Sequence, residues 1–264
     1  MYIIFILVSF GACVIGRICG LGGGVIIKPV LDAFGLVSPQ VINFLSSCTV
    51  LVMTAYSVSK AIVKKDVQMD LSISTPLAIG SCIGGIAGKK VFTALISLLP
   101  SADMSAMVQA AILLSMLIPV LIFTVFKSKV HTYNIKNKAL CVVVGFVLGI
   151  ISAFLSGGSG PMNMAVLLFL FSMPSKVAVI NSLYIILFSQ IASFIQTVAS
   201  KNIPSFNVLI LIGMILGAIL GSECGRFVNN KAVSYTHLDV YKRQDLPCRK
   251  PYRAAFRYKN KNRA

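Results

Sequence analysis

Long apolar stretches separated by short polar breaks set the pattern of this chain. They cover residues 2–31, 41–63, 71–86, 104–126, 139–173, 177–199 and 206–227. A helix crossing the roughly 30 Å hydrocarbon core of a bilayer needs about 20 mostly apolar residues, so the pattern predicts seven spans. The first run has no basic stretch before it and no small-residue cleavage site after it, which reads as a span and not a removed signal peptide. Its 30 residues would extend about 45 Å as one helix, too long for the core. Gly20, Gly22, Gly23 and Gly24, followed by Pro29, are where it is expected to break. The run at 139–173 breaks likewise at Ser156-Gly157-Gly158-Ser159-Gly160-Pro161, and a polar linker, 127–138, lies between the two halves.

The halves resemble each other. Gly20, Gly22 and Gly24 with Val30 and Leu31 fall on Ser156, Gly158 and Gly160 with Val166 and Leu167 at an offset of 136. Pro39, Ser46 and Ser47 fall on Pro174, Asn181 and Ser182 at 135, and Gly80, Gly84 and Gly88 on Gly213, Gly217 and Gly221 at 133. Each half therefore reads as a broken helix, a Pro turn, a polar-studded helix and a small-xxx-small helix. Counting each broken run as one crossing gives an even number of spans per repeat, hence repeats of parallel orientation. The predicted fold is an all-α integral membrane bundle, polytopic, with seven spans in two parallel repeats whose first helices are broken. The organisation is a first membrane repeat at 1–126, the linker at 127–138, a second repeat at 139–232 and a basic non-membrane tail at 233–264.

Composition agrees. Hydrophobic residues make up 57% of the chain and charged residues 12%, about half the charge of an ordinary soluble domain. The net charge of +17 divides into +10 up to Lys231 and +7 in the last 33 residues. That tail opens Val233-Ser234-Tyr235-Thr236-His237-Leu238-Asp239-Val240-Tyr241-Lys242-Arg243-Gln244, which resembles translated sequencing-adaptor DNA. The expectation is that native sequence ends near Ala232 and that a final span is missing; a basic cytoplasmic tail is the alternative. Before the tail the acidic residues are Asp32, Asp66, Asp70, Asp103 and Glu223, too scattered for a hard-metal site or two-carboxylate chemistry. The seven cysteines form no CxxC pair and read as small buried hydrophobes. No metal, cofactor or nucleic-acid partner is expected.

Backbone at membrane depth must be hydrogen-bonded, so Gly-rich interruptions survive there only when packed in protein or lining a cavity. Each break starts a new half-helix whose first N–H groups are unpaired and carry the positive end of the dipole. That favours an anion. Gly22, Gly23, Gly24, Gly158 and Gly160 would let a ligand approach the main chain, and Ser159 before Gly160 and Pro161 reads as an N-cap. Ser46, Ser47, Asn163, Asn181 and Ser182 would add neutral polar groups, and these eleven residues form the predicted substrate site. Helix packing alone is the competing explanation of the glycines, and interhelical hydrogen bonding that of the polar residues. Arg17 either neutralises the anion or snorkels to the interface.

The repeated glycine breaks, the Pro turn into a Ser/Asn-Ser helix and the IGxxxGxxxG third helix resemble the TauE/SafE sulfite exporter family, also called the toluenesulfonate uptake permeases, over residues 1–231. The resemblance implies about eight helices in two repeats, in the bacterial inner membrane, and transport of sulfite, sulfonates or related organic anions. It implies a permease and no catalytic residues. Gly158-Ser159-Gly160-Pro161 departs from the family's more Gly-rich pattern, which leaves the particular anion open, as are coupling ion, direction and oligomeric state.

A passive anion channel or the membrane subunit of a larger complex is the alternative. Gly157-Gly158-Ser159-Gly160 also matches the GxSG motif of rhomboid intramembrane proteases, but that chemistry needs a histidine beside the serine. The histidines are His131 in the linker and His237 in the tail. With each broken run as one crossing, Lys60, Lys64, Lys65, Lys127, Lys129, Lys136, Lys138 and Lys201 share the N-terminal side, against Lys28, Lys89, Lys90, Lys176, Arg226 and Lys231. Eight against six places the N-terminus in the cytoplasm.

Overall fold

The computed structural model describes residues 2–64, 70–97, 137–154, 160–200 and 204–243, with scattered positions between 104 and 122. Among these the regular structure is helical, in eight labelled helices: α1 (Tyr2–Cys19), α2 (Gly24–Phe34), α3 (Pro39–Lys64), α4 (Leu71–Ser97), α5 (Lys138–Phe154), α6 (Gly160–Phe169), α7 (Ser175–Ala199) and α8 (Val208–Arg243). Five have the length and hydropathy of a membrane span, Tyr2–Cys19, Gln40–Val63, Leu71–Val91, Ser175–Ala199 and Val208–Asn229, while α5 and α6 are shorter apolar helices. The protein is a polytopic helical membrane protein. Of the expected span at 104–126, the described positions are helical and expose Met104, Met107, Leu114, Ile118 and Ile122. The rest of it lies outside the described residues, as do 127–136 of the linker and 244–264 of the tail. The chain forms two units, Met1–Arg226 and Phe227–Ala264. The second continues α8 as helix through Arg243; the placements below concern the first.

Helix directions follow from contacts at their ends. Asn207, just before α8, donates from Nδ2 to the Tyr2 hydroxyl at 3.0 Å, and the Phe206 ring packs on Phe44 near the start of α3 at 5.0 Å. At the other end Lys60 of α3 pairs with Glu223 of α8 at 2.7 Å. The third-helix glycines complete the alignment: Gly217 lies on Ile6 and Phe10, Gly221 on Phe10 and Cys13, Gly225 on Val14 and Arg17. Thus α1, α3 and α8 run the same way, from a Tyr2 end to a Glu223 end. Six residues join α3 to α4, which starts back from the Glu223 end. Gly84 lies on Phe146 and Gly88 on Ile150, while Cys82 and Lys89 bond to Phe188 and Ser193, so α5 and α7 share the direction of α4.

The first break is a reversal, not a kink. Gly23 sits against the carbonyl of Ala12 and the sulfur of Cys13, and Gly16 against the backbone of Gly22 and Gly23. The chain has turned back along α1, and the 11 residues of α2, about 16 Å of helix, carry it to the Tyr2 end where α3 begins. In the second half Phe171 and Met173, just after α6, share a core cluster with Cys141 at the start of α5 and Leu77 near the start of α4. There too the half-helix returns to the end its partner came from.

This corrects the expected parallel arrangement. A run that turns back contributes no net crossing, so the two halves cannot share a direction: α1 and α3 oppose their counterparts α5 and α7, and α8 opposes α4. The repeats are inverted, about an axis in the plane of the membrane. The charge count changes with it. Lys60 and Lys64 stand at the end opposite Tyr2 with Arg17, Lys138, Lys176 and Arg226, whereas Lys89 and Lys90 stand near the Tyr2 end. The tally that put the N-terminus in the cytoplasm rested on the wrong side for Lys60, Lys64 and Lys138, and equally for Lys28, Lys89 and Lys90.

Each third helix packs on the first helix of the other half, through the predicted glycine faces. At Gly80, Gly84, Gly145 and Gly149 an added Cβ would collide with the backbone of the facing helix, the close approach that small residues permit where lipid supplies no hydrophobic drive. Around it lie two clusters of buried apolar side chains: one built on Phe5, Ile27, Leu31, Leu45, Met53, Leu183 and Met214, the other on Leu77, Leu148, Leu167 and Ile185.

Candidate functional site

Gly20, Gly22 and Gly23 have φ of 71°, 78° and 76°. The left-handed region is strained for residues with a Cβ, and three such residues within four positions explain why the α1 run reverses here. The α1 end is closed from within: Leu21 N–H donates to Gly16 O at 2.9 Å. The α2 start is not, since its N-cap is Gly23 and no side chain caps it. Its first N–H groups face the interior of the bundle, where Gly22, Gly23 and Gly24 are all buried.

The second break meets the first. Gly160, the first residue of α6, is buried with its Cα hydrogen against the backbone of Leu21, with no space for a methyl group. Ser182 of α7 donates to Gly20 O at 2.8 Å, and Gly22 is flanked by Ile186 of α7 and Val50 of α3. Two half-helices entering from opposite ends therefore begin beside one another, with α3 and α7 crossing alongside.

Repeat-equivalent polar residues lie on the two crossing helices. Ser46, one turn before Val50, is fully buried and its Oγ has no hydrogen-bond partner. Asn181, its counterpart, is also fully buried; Nδ2 donates to Met173 Sδ at 3.3 Å and Oδ1 is unpartnered. A buried polar atom without a partner costs about 1–3 kcal/mol, so two at matching positions call for an explanation. Asn163, in the first turn of α6, is 1% exposed, and Ser47 is half-buried. Of the eleven predicted residues, Gly160 and Ser182 contact Leu21 and Gly20 of the first break, next in the chain to Gly22 and Gly23, and Gly24, Ser46, Ser47, Asn163 and Asn181 lie on the elements that meet there. Gly158 and Ser159 lie outside the described residues.

Other polar residues within the helices have local roles. Thr49 and Thr54 bond to the carbonyls of Leu45 and Val50 at 2.7 and 2.8 Å, the back-bonding usual for hydroxyls in apolar helices. Arg17 is buried against Gly225 at the Glu223 end, not extended to an interface. The sequence reading passed over two features. Ser57 and Ser222 bond at 2.7 Å beside the Lys60–Glu223–Arg226 ion cluster. A cavity between α4, α5 and α7 is lined by Gly85, Ser152, Ala153, Ser189, Gln190 and Ser193. Ser193 and Thr197, extending the face of Ser189 at helical spacing, were the signal for it. Among the described residues no group of His, Cys, Asp or Glu is placed to hold a metal.

Comparison with known proteins points to membrane transporters. The chain is 24% identical over 253 residues to the probable membrane transporter protein YunE of Bacillus subtilis (strain 168), covering 89% of this chain and 91% of that protein. No solved structure matches. The family model for the sulfite exporter TauE/SafE matches residues 5–236, and the chain belongs to that family of membrane transporters.

Proposed function

We propose that this transporter carries small anions, sulfite, sulfonates or related sulfur-containing organic anions, and binds them where its two breaks meet. The observation that carries the reading is the contact of Gly160 with Leu21 where α3 and α7 cross, those two helices carrying fully buried Ser46 and Asn181 about a turn to either side, each with a polar atom left unpaired. Two helix N-termini aimed at one place from opposite ends sum their positive dipole ends. Small glycines expose main-chain N–H groups there, and Ser46 and Asn181 are neutral groups that can complete an anion's shell. Gly158, Ser159, Asn163 and Ser182 belong to the same proposed site.

Inverted repeats supply the cycle. If the halves exchange conformations about the central axis, the site opens to one end and then the other while the glycine-packed pairs α4–α5 and α1–α8 move as bodies. Residues 1–126 and 139–232 are the repeats in this reading, with 127–138 between them. The membrane is the bacterial inner membrane, and no chemical step is performed on the cargo. Six basic residues toward the Glu223 end against three toward the Tyr2 end, Lys28, Lys89 and Lys90, among the described residues of the first unit, favour a cytoplasmic Glu223 end and an external N-terminus.

Uptake of sulfite into proteoliposomes tests this. Saturable uptake with counterflow is expected, and Asn181→Ala should lower its initial rate about tenfold, the loss of one hydrogen bond to a charged group. Non-saturating flux would make the protein a channel. Sulfite uptake indifferent to both Asn181→Ala and Ser46→Ala would remove the central site.

A further inference from the structure

We propose a second anion-binding subsite, outside the central one, formed by the cavity between α4, α5 and α7 together with Lys89. It rests on the reading of the cargo as a small anion and adds a place on its route. The enclosed part of the cavity is small, about 10 Å³ or room for one water, and opens outward so that an anion would sit at its mouth; its lining brings three hydroxyls and an amide together: Ser152, Ser189, Gln190 and Ser193. Gly85 leaves the α4 wall without a side chain, and the Oγ atoms of Ser189 and Ser152 lie 3.4 Å apart. One turn beyond Gly85, Lys89 donates to Ser193 O at 3.2 Å and to the Thr197 hydroxyl. Its ammonium group thus adjoins the cavity through the residue they share.

The position along α7 makes this a route. Ile186 meets Gly22 at the central site; Ser189, Gln190, Ser193 and Thr197 follow on one side of the helix toward the Tyr2 end. The other half lacks this series. The counterparts of Ser189, Ser193 and Thr197 on α3 are Thr54, Val58 and Ile62, and Thr54 is bonded to its own helix. Where Lys89 stands on α4, α8 has Ser222, tied to Ser57, with Glu223 held between Lys60 and Arg226 next to it. An intramembrane cation beside a polar cavity, in one half only, is where an anion would pause on its way to or from the Tyr2 end.

The test uses full-length protein in liposomes. The chain has no Trp, so Phe188→Trp introduces a single indole beside the α4–α7 seam, and quenching by iodide is compared with quenching by neutral acrylamide. At about 6 Å in a water-like dielectric one unit charge changes local anion occupancy about threefold. Lys89→Gln should therefore lower the iodide-to-acrylamide ratio about threefold, Lys89→Arg should preserve it, and Ser193→Asp should lower it without altering Lys89. Millimolar sulfite should protect the indole from iodide, and less so after Ser189→Ala with Gln190→Ala. An unchanged ratio in Lys89→Gln, or in Ser193→Asp should the first variant not fold, overturns the subsite. Sulfite uptake sensitive to Asn181→Ala alongside Lys89-independent quenching removes the subsite alone. Lys89-dependent quenching without sulfite uptake leaves the subsite standing and overturns the cargo.

Discussion

Gly22 shows how one residue type serves two needs. Its φ of 78° is open to glycine at little cost, and its missing side chain leaves room for Ile186 and Val50. In Gly22→Ala the left-handed conformation costs roughly 1–2 kcal/mol, and the new methyl would stand 3.2 Å from Ile186 Cδ1. The expected outcome is a lower unfolding temperature in detergent and loss of sulfite uptake together. Gly11→Ala, where nothing lies within 4 Å, should leave both unchanged. Ser46 and Asn181 were legible as intramembrane polar residues at one repeat offset; that both are wholly buried with an atom unsatisfied was not, because burial depends on what the other helices bring. Arg17 shows the reverse: in an apolar run it reads as snorkelling, and only the proximity of Gly225 reveals the space that houses it.

At the scale of elements, the glycine faces were fully legible. GxxxGxxxG on a membrane helix means close crossing, and both copies make one. Which helix they cross was not, since the spacing has no information about the partner. At Gly84 the facing atoms are the Phe146 backbone, which cannot rotate away. Gly84→Leu should therefore separate α4 from α5 and destabilise the protein by about 2 kcal/mol or more, read as a fall in detergent unfolding temperature. Ile83→Leu next to it, on the exposed side, should shift it little. The break in α1 was equally visible as a glycine cluster. Whether it bends the helix or reverses it depends on the positive φ values at Gly20, Gly22 and Gly23 and on Gly16, which accepts the returning stretch of chain against its own backbone.

For the whole molecule, that one local decision sets the topology. A reversal turns each first run from a crossing into a re-entrant hairpin, inverts one half relative to the other and moves Lys60 and Lys64 to the end opposite Tyr2. In intact cells a membrane-impermeant maleimide should label Lys90→Cys above the background of the native cysteines. Lys64→Cys and Asn137→Cys should gain labelling only after permeabilisation. The opposite pattern would return the N-terminus to the cytoplasm. An inverted pair also accounts for the unequal ends, with the Lys60–Glu223–Arg226 cluster and the Ser57–Ser222 bond at one and the Lys89 cavity toward the other. In a parallel pair those features would lie toward the same end.

Hydropathy, the glycine and proline positions and the internal offsets determined by themselves that this is a helical membrane protein, duplicated, interrupted twice and served by neutral polar residues. Those properties are local or periodic, and periodicity is written along the chain. The direction of each half-helix, the contact between the two breaks, the burial of Ser46 and Asn181 and the cavity beside Lys89 were decided only in three dimensions. They depend on backbone signs at a few glycines and on contacts between residues more than a hundred positions apart, which no spacing within one half encodes.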